Sequence, residues 1–202
     1  QQALHFAAQA VLSGTQDVVI AAGVESMTRV PMGAPVFLPM QAGIGIGPWP
    51  QSIKTRYGVD QFSQFTGAEM MARKYGFTRE QLDEFALASH RKAAASADSD
   101  AFEREILVVD GLDKEGNARR HDRDEGIRAD ASLEALGELK TVARDGMIPA
   151  GNASQVCDGA SGVLVVSERA LKARGLPPIG RIDNLTVTAG DPVIMLEQAA
   201  PP

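Results

Sequence analysis

The sequence predicts an α/β protein, a layered core of strands and helices that carries a large mixed insertion. Three observations predict it. A helical segment runs straight into the apolar stretch "DVVIAAG" (17–23). Much later a second apolar stretch, Gly162–Ser167, runs into a helical segment at 168–174. Between them lies a long region of neither period, rich first in Gly and Pro and then in charge. Strand–helix alternation framing such a region argues for one layered core with an insert.

The totals fit that class. The 202 residues are 44% hydrophobic and 23% charged, with a formal net charge of −6. A general binder of nucleic acid or of an anionic membrane is normally basic, so the charge argues against both. The apolar runs are strand-sized and too short to span a bilayer. One cysteine, Cys157, allows no internal disulfide and points to a reducing compartment, the cytoplasm or an organelle matrix. Residues 1–14 read as an amphipathic segment without a basic leader or cleavage site, so they are not expected to be a secretory signal.

Taken in order, "QQALHFAAQAVLSG" places Ala3, Leu4, Ala7, Ala10 and Val11 at helical spacing, with Gly14 as a stop. The β-branched run 17–23 reads as a strand buried on both faces. Residues 32–59, with "PMGAPVFLPMQAGIGIGPWPQS", read as a long irregular excursion that excludes regular helix. Thr66–Gly76 reads as a helix. Thr78 and Gln81 form a capping box for a further helix towards Ala97, with Leu82, Phe85, Ala86 and Ser89 on its apolar face. A short strand is expected at 105–109 and a solvated charged segment at 110–131. A turn or two of helix follows at Leu133–Leu139. The small-residue loop "AGNASQ" (150–155) then leads into the strand at 162–167. Gly175 ends the helix 168–174, and "IGRIDNLTV" (179–187) is expected to be a third strand. The opening helix without a lead-in and the close on Pro201 and Pro202 read as cuts through a larger protein.

Candidate chemistry is sparse. His5, His90 and His121 share no metal-ligand spacing with one another or with a cysteine, so packing or surface roles are expected. Cys157 has no histidine near in sequence and is expected to be a small buried thiol rather than a nucleophile. The glycines of "AGIGIG" (42–47) neither follow a strand nor open a helix, which makes them a poor dinucleotide fingerprint. "AGNASQ" differs: a small-residue loop at a strand end lets a ligand approach the main chain, the alternative being a tight turn. Arg128 in "DEGIR" is either a surface ion-pair partner or an anion contact.

Six segments in order resemble the thiolase family: "VVIAAGVESMTRVPMG", "FTGAEMMARKYG", "TREQLDEFALASHRKA", "DEGIRADASLEALGELK", "IPAGNASQVCDGASGVLVVSERALKARG" and "DPVIMLEQAAPP". The resemblance implies a thiolase-like α-β-α-β-α layered fold. Residues 1–31 would belong to a partial N-terminal domain and 32–151 to a loop domain. Residues 152–175 would be the returning strand and helix, and 176–202 the start of a C-terminal domain. It implies thiolytic cleavage of 3-ketoacyl-CoA, or the reverse condensation, through a cysteine acyl-enzyme, with coenzyme A as substrate and no permanently bound cofactor. A homodimer or homotetramer is implied, as is a place in fatty-acid β-oxidation.

The nucleophilic Cys-x-Ser and the Gly-His-Pro and Asn-Glu-Ala-Phe segments of that family do not occur here, and the one Cys-x-Gly, Cys157-Asp158-Gly159, falls where the resemblance puts Ser or another small residue rather than the acid–base cysteine. No catalytic residue is therefore assigned, and the chain by itself is expected to be inactive. The resemblance assigns coenzyme A contacts to Arg128, Ala150, Ser154 and Val156. It puts Ser63 and Gln64 in the acyl tunnel, where biosynthetic members carry a His-Met pair. Glu25 is expected to hold loops by hydrogen bonds. The alternatives are a non-catalytic thiolase-like coenzyme A or lipid binder and an inactive partner subunit.

Overall fold

The computed structural model describes residues 1–113 and 115–199. It divides into two compact units, the first formed by Gln1–Ile53 and Val156–Ala189 and the second by Lys54–Gln155 and the segment from Gly190 onward.

In the first unit, helix α1 (Gln2–Leu12) packs on strand β1 (Val18–Ser26). Alanine-rich sequence favours the helix, and Gly14, at φ +75°, supplies the left-handed residue that ends it. Strand β1 pairs antiparallel with the long-range strand Asp158–Val166, from Val18 opposite Val166 to Ser26 opposite Asp158. Ala7, Ala21 and Val165 form the core, with Leu4, Val11 and Val19 against it. The period of two puts Val19 and Ala21 on the helix side, while Ile20 and Val24 stay 72% and 81% exposed. The expectation of two covered faces is thus corrected. Among the described residues only one face has a helix on it, and apolar β-branched sequence reports strand propensity, not the number of layers. The strand expected at 162–167 is likewise longer at its start and mostly exposed.

The Gly/Pro-rich excursion contains two helices, α2 (Ala34–Gln41) and α3 (Gln51–Tyr57), against the expectation of none. Gly33, at φ +84°, starts α2, and Pro35 lies in its first turn, where the missing N–H bonds nothing anyway. Pro39 falls so close to the end of this eight-residue helix that little of the ladder is lost.

In the second unit, α4 (Gln64–Lys74) and α5 (Arg79–Asp98) are the two main helices. The Thr78–Gln81 capping box is present in both directions. The buried face of α5 is set by Asp83 and Leu87, whereas Phe85 is 80% exposed, so the apolar face expected from sequence is rotated. The charged segment folds into a hairpin, β2 (Val109–Leu112) with β3 (Ala118–His121). Its turn is closed by the Asp113 carboxylate, which accepts the N–H groups of Glu115 and Asn117. Strand pairing therefore starts at Val109, where the strand expected at 105–109 would end. Helix α6 (Leu133–Gly137) packs on α5.

Back in the first unit, β4 (Asp158–Val166) leads into α7 (Glu168–Arg174), capped by the Ser167 hydroxyl and stopped by Gly175 at φ +62°. The third strand expected at 179–187 does not form. Ile179 and Val187 are exposed, and no described segment pairs with them. Strand propensity without a ladder partner leaves the backbone irregular. Pro201 and Pro202 lie outside the described residues.

Candidate functional site

The site grows from one loop of the second unit, residues 141–155. Its base is a short antiparallel bridge between Thr141 and Pro149, with the Val142 N–H on the Ile148 carbonyl at 2.8 Å. Pro149 is fully buried. A single 3-10 turn, Ala150–Asn152, follows, and Ser154 emerges exposed.

Two carboxylates hold this loop from below, and they are the buried charged residues among those described. Glu69 on α4 is 5% exposed; its Oε1 accepts the N–H of Met147 at 2.7 Å and of Ile148 at 2.9 Å. Gly146 allows that approach, because a Cβ there would overlap the same oxygen. Asp83 on α5 is 3% exposed. One of its oxygens accepts the Asn152 side-chain amide at 2.9 Å, and the other accepts Arg79 Nε at 2.7 Å. Arg79 also donates to the carbonyls of Leu136 at 2.6 Å and Leu139 at 3.0 Å. Gly151 sits tightly against Leu136 and Leu139: an added Cβ would meet them at 2.5 and 2.6 Å.

A second segment is tied to the end of the loop. The Gln155 side-chain amide donates to the Gly126 carbonyl, and Asp124 accepts the Gly126 N–H at 2.7 Å. Two residues on, the Arg128 N–H donates to His90 Nδ1 on α5 at 3.3 Å. His90 Nδ1 is the acceptor in this contact. The Arg128 backbone is anchored, while its exposed guanidinium has no ion pair or hydrogen bond among the described residues. An anchored backbone with a free guanidinium can meet an anion.

The structure thus brings Arg128, Ala150 and Ser154 into one unit through segments joined at Gln155–Gly126. Val156, 63% exposed, belongs to the first unit. Ser63 is the half-buried residue that opens α4, and Gln64 is the exposed first residue of that helix. Both follow the edge-to-face pair of Tyr57 and Phe62, whose ring centroids are 5.5 Å apart.

In the first unit a different knot closes the end of β1. The Asp158 carboxylate accepts the Thr28 hydroxyl at 2.5 Å, the Thr28 N–H at 3.0 Å and the Ser26 hydroxyl at 3.1 Å. These bonds, the Thr28 hydroxyl first, hold its carboxyl below the usual carboxylate range. Glu25 is exposed and outside the knot, so the loop-holding role expected of it falls to Ser26 and Thr28. Cys157 is exposed, not buried as expected, and stands at the start of a strand rather than of a helix.

Glu69, Asp83, Asn152, Gln155 and Asp158 carry this architecture, and none of them was assigned a contact from sequence, although Asn152 and Gln155 lie within the "AGNASQ" loop singled out there. A signal existed for two of them: Glu69 and Asp83 are acids in line with the small and apolar positions of their helices.

Residues 1–169 match the family described as "Thiolase, N-terminal domain". A steroid 3-ketoacyl-CoA thiolase, FadA6, of Mycobacterium tuberculosis is 40% identical over 203 residues, covering 100% of this chain and 48% of that protein. An acetyl-CoA acetyltransferase of Allochromatium vinosum is 38% identical, covering 96% of this chain and 50% of that protein. The solved acetyl-CoA acetyltransferase of Syntrophomonas wolfei superposes with a TM-score of 0.67 at 29% identity, over 88% of this chain and 45% of that one. The chain spans about half the length of the curated relatives it matches.

Proposed function

The chain belongs to the thiolase family, and from that premise we propose that it supplies the coenzyme-holding part of an acetyl-CoA C-acyltransferase. The reaction is thiolysis of a 3-ketoacyl-CoA, or its reversal. A cysteine thiolate attacks the ketone, the carbon–carbon bond breaks, acetyl-CoA leaves, and the acyl group passes from the cysteine to a new coenzyme A. The relatives' names, 3-ketoacyl-CoA thiolase and acetyl-CoA acetyltransferase, support this reaction class.

The carrying observation is the exposed, uncommitted Arg128 guanidinium on a segment tied to the clamped 150–155 loop. In this reading Arg128 meets the nucleotide end of coenzyme A, and Ala150, Ser154 and Val156 line the pantetheine arm. Ser63 and Gln64 border the acyl chain and favour substrates longer or bulkier than acetoacetyl. Coenzyme A is a substrate, not a resident cofactor. The enzyme works as a homodimer or homotetramer in a reducing compartment, in fatty-acid β-oxidation. Residues 1–31 and 152–175 serve its N-terminal domain, 32–151 its loop domain, and 176–202 opens its C-terminal domain.

None of this chain's residues forms the acyl-enzyme in this proposal. Its single cysteine, Cys157, is exposed at a strand start, without the helix N-terminus that favours a thiolate. The test is binding of coenzyme A and of pantetheine to the 202-residue chain by calorimetry. Arg128→Ala should weaken coenzyme A about tenfold, as expected for a lost charge-assisted bond, and leave pantetheine unchanged. Equal loss for both ligands, or none, would contradict the assignment. Thiolysis of acetoacetyl-CoA by the chain alone would contradict the claim that its chemistry lies elsewhere.

A further inference from the structure

Burying a carboxylate is costly unless it is paired and hydrogen-bonded, and an ion pair buried for stability alone gains little over apolar packing. The described residues nevertheless contain two buried acids, and both act on the same loop. Glu69 holds its incoming arm at Met147 and Ile148. Asp83 holds its tip through Asn152, two residues before Ser154. Asp83 is itself fixed by Arg79, whose remaining donors are set on the carbonyls of Leu136 and Leu139. Three segments, α5, the end of α6 and the 150–152 turn, are thereby registered on one carboxylate. Hydrogen bonds of fixed direction define loop geometry more narrowly than apolar contacts of the same area, and a binding loop needs such support.

We propose that Asp83 is the positioning residue of the 150–154 loop, acting through Asn152 to hold Ala150 and Ser154 in the geometry that receives the coenzyme arm. This rests on the reading of that loop as a coenzyme contact. Asp83 touches no ligand; its effect passes through Asn152.

The test uses the reversed pair. In the chain as it stands, Arg79 and Asn152 both donate to Asp83. In the double variant Asp83→Asn with Asn152→Asp, the residue 83 carbonyl still accepts from Arg79, and its amide now donates to the carboxylate at 152. Both contacts survive with one polarity reversed. Coenzyme A affinity is measured by calorimetry in wild type, N152A, D83N, N152D and the double variant, at a temperature where circular dichroism shows each one folded. N152A should weaken coenzyme A by about tenfold, the effect of losing a bond to a charged group. It should also speed amide exchange at Ala153 and Ser154 while leaving the β2–β3 hairpin unchanged. D83N and N152D should each weaken binding, and the double variant should recover most of the affinity.

Unchanged affinity and exchange in N152A would overturn the positioning role while leaving the coenzyme reading intact. So would a double variant no better than its singles. If D83N does not fold, N152A alone decides, because Asn152 lies on a partly exposed turn. A wild-type chain that binds no coenzyme A would overturn the loop assignment and the positioning role together.

Discussion

At the scale of single residues, the structure separates groups that bear contacts from neighbours that look alike in sequence. Glu25 and Asp158 face each other's strands across one residue of register, yet only Asp158 closes the β1 end. Its folded-state pKa is lowered by Thr28 and Ser26, so its contribution is fully present above the unfolded carboxylate value, about 4. It is lost as pH falls through the lower folded value. Acid titration followed by the Thr28 amide resonance should therefore show the knot intact at pH 5 and opening below about pH 4, and D158N should remove that transition. Glu25→Ala should change stability by less than about 0.5 kcal/mol, as for a surface site without partners; a larger shift in the urea midpoint would show a contact that the structure lacks. Gly146→Ala drives a methyl group into the Glu69 carboxylate and should cost about 1–3 kcal/mol, the range for overpacking. The glycine is visible in sequence, but the carboxylate it makes room for lies 77 residues away (146 − 69) and is visible only in the fold.

At the scale of elements, local chemistry is legible where it is self-contained. The Thr78–Gln81 box and the Gly14 and Gly175 stops each need only residues within a few positions, whereas Ser167, read as the end of a strand, is shown by the structure to be the cap of α7. Thr78→Ala should lower stability by about 1 kcal/mol, read as a lower urea midpoint of the helical signal, and Thr78→Ser should restore it. The β2–β3 hairpin was hidden because its strands are four residues long and wholly exposed, so no buried face imposes an alternation that announces them. Its turn residues, Asp113 and Gly116-Asn117, were the available sign. Helix α2 was hidden by its prolines, whose positions within eight residues make them harmless. The 179–187 segment failed in the opposite way: its apolar residues announce a strand, but a strand exists only with a partner.

At the scale of the whole molecule, an unusual amount of apolar surface faces solvent. Ile20 and Val24 lie on the open face of β1, and Phe37, Leu38, Ile44 and Ile46 lie on and after α2, each more than half exposed. Surfaces of that kind associate. Sedimentation velocity should show the chain growing in apparent mass with concentration. The double variant I20T/V24T should reduce that growth, since it makes polar two side chains that bear no described packing. A concentration-independent monomer would contradict this.

The sequence alone determined the α/β class, the Thr78–Gln81 cap, the Gly14 and Gly175 stops, and the family, because these rest on local spacing and on motifs that keep their order along the chain. Only the tertiary structure decided which acids are buried, which residues clamp the 147–155 loop, and that Cys157 and one face of β1 are open. Those properties belong to pairs of residues far apart in sequence. Glu69 with Ile148, Asp83 with Asn152 and Thr28 with Asp158 are brought within hydrogen-bond reach only when helices and strands have already packed. No local pattern records a distance that the chain must fold to create.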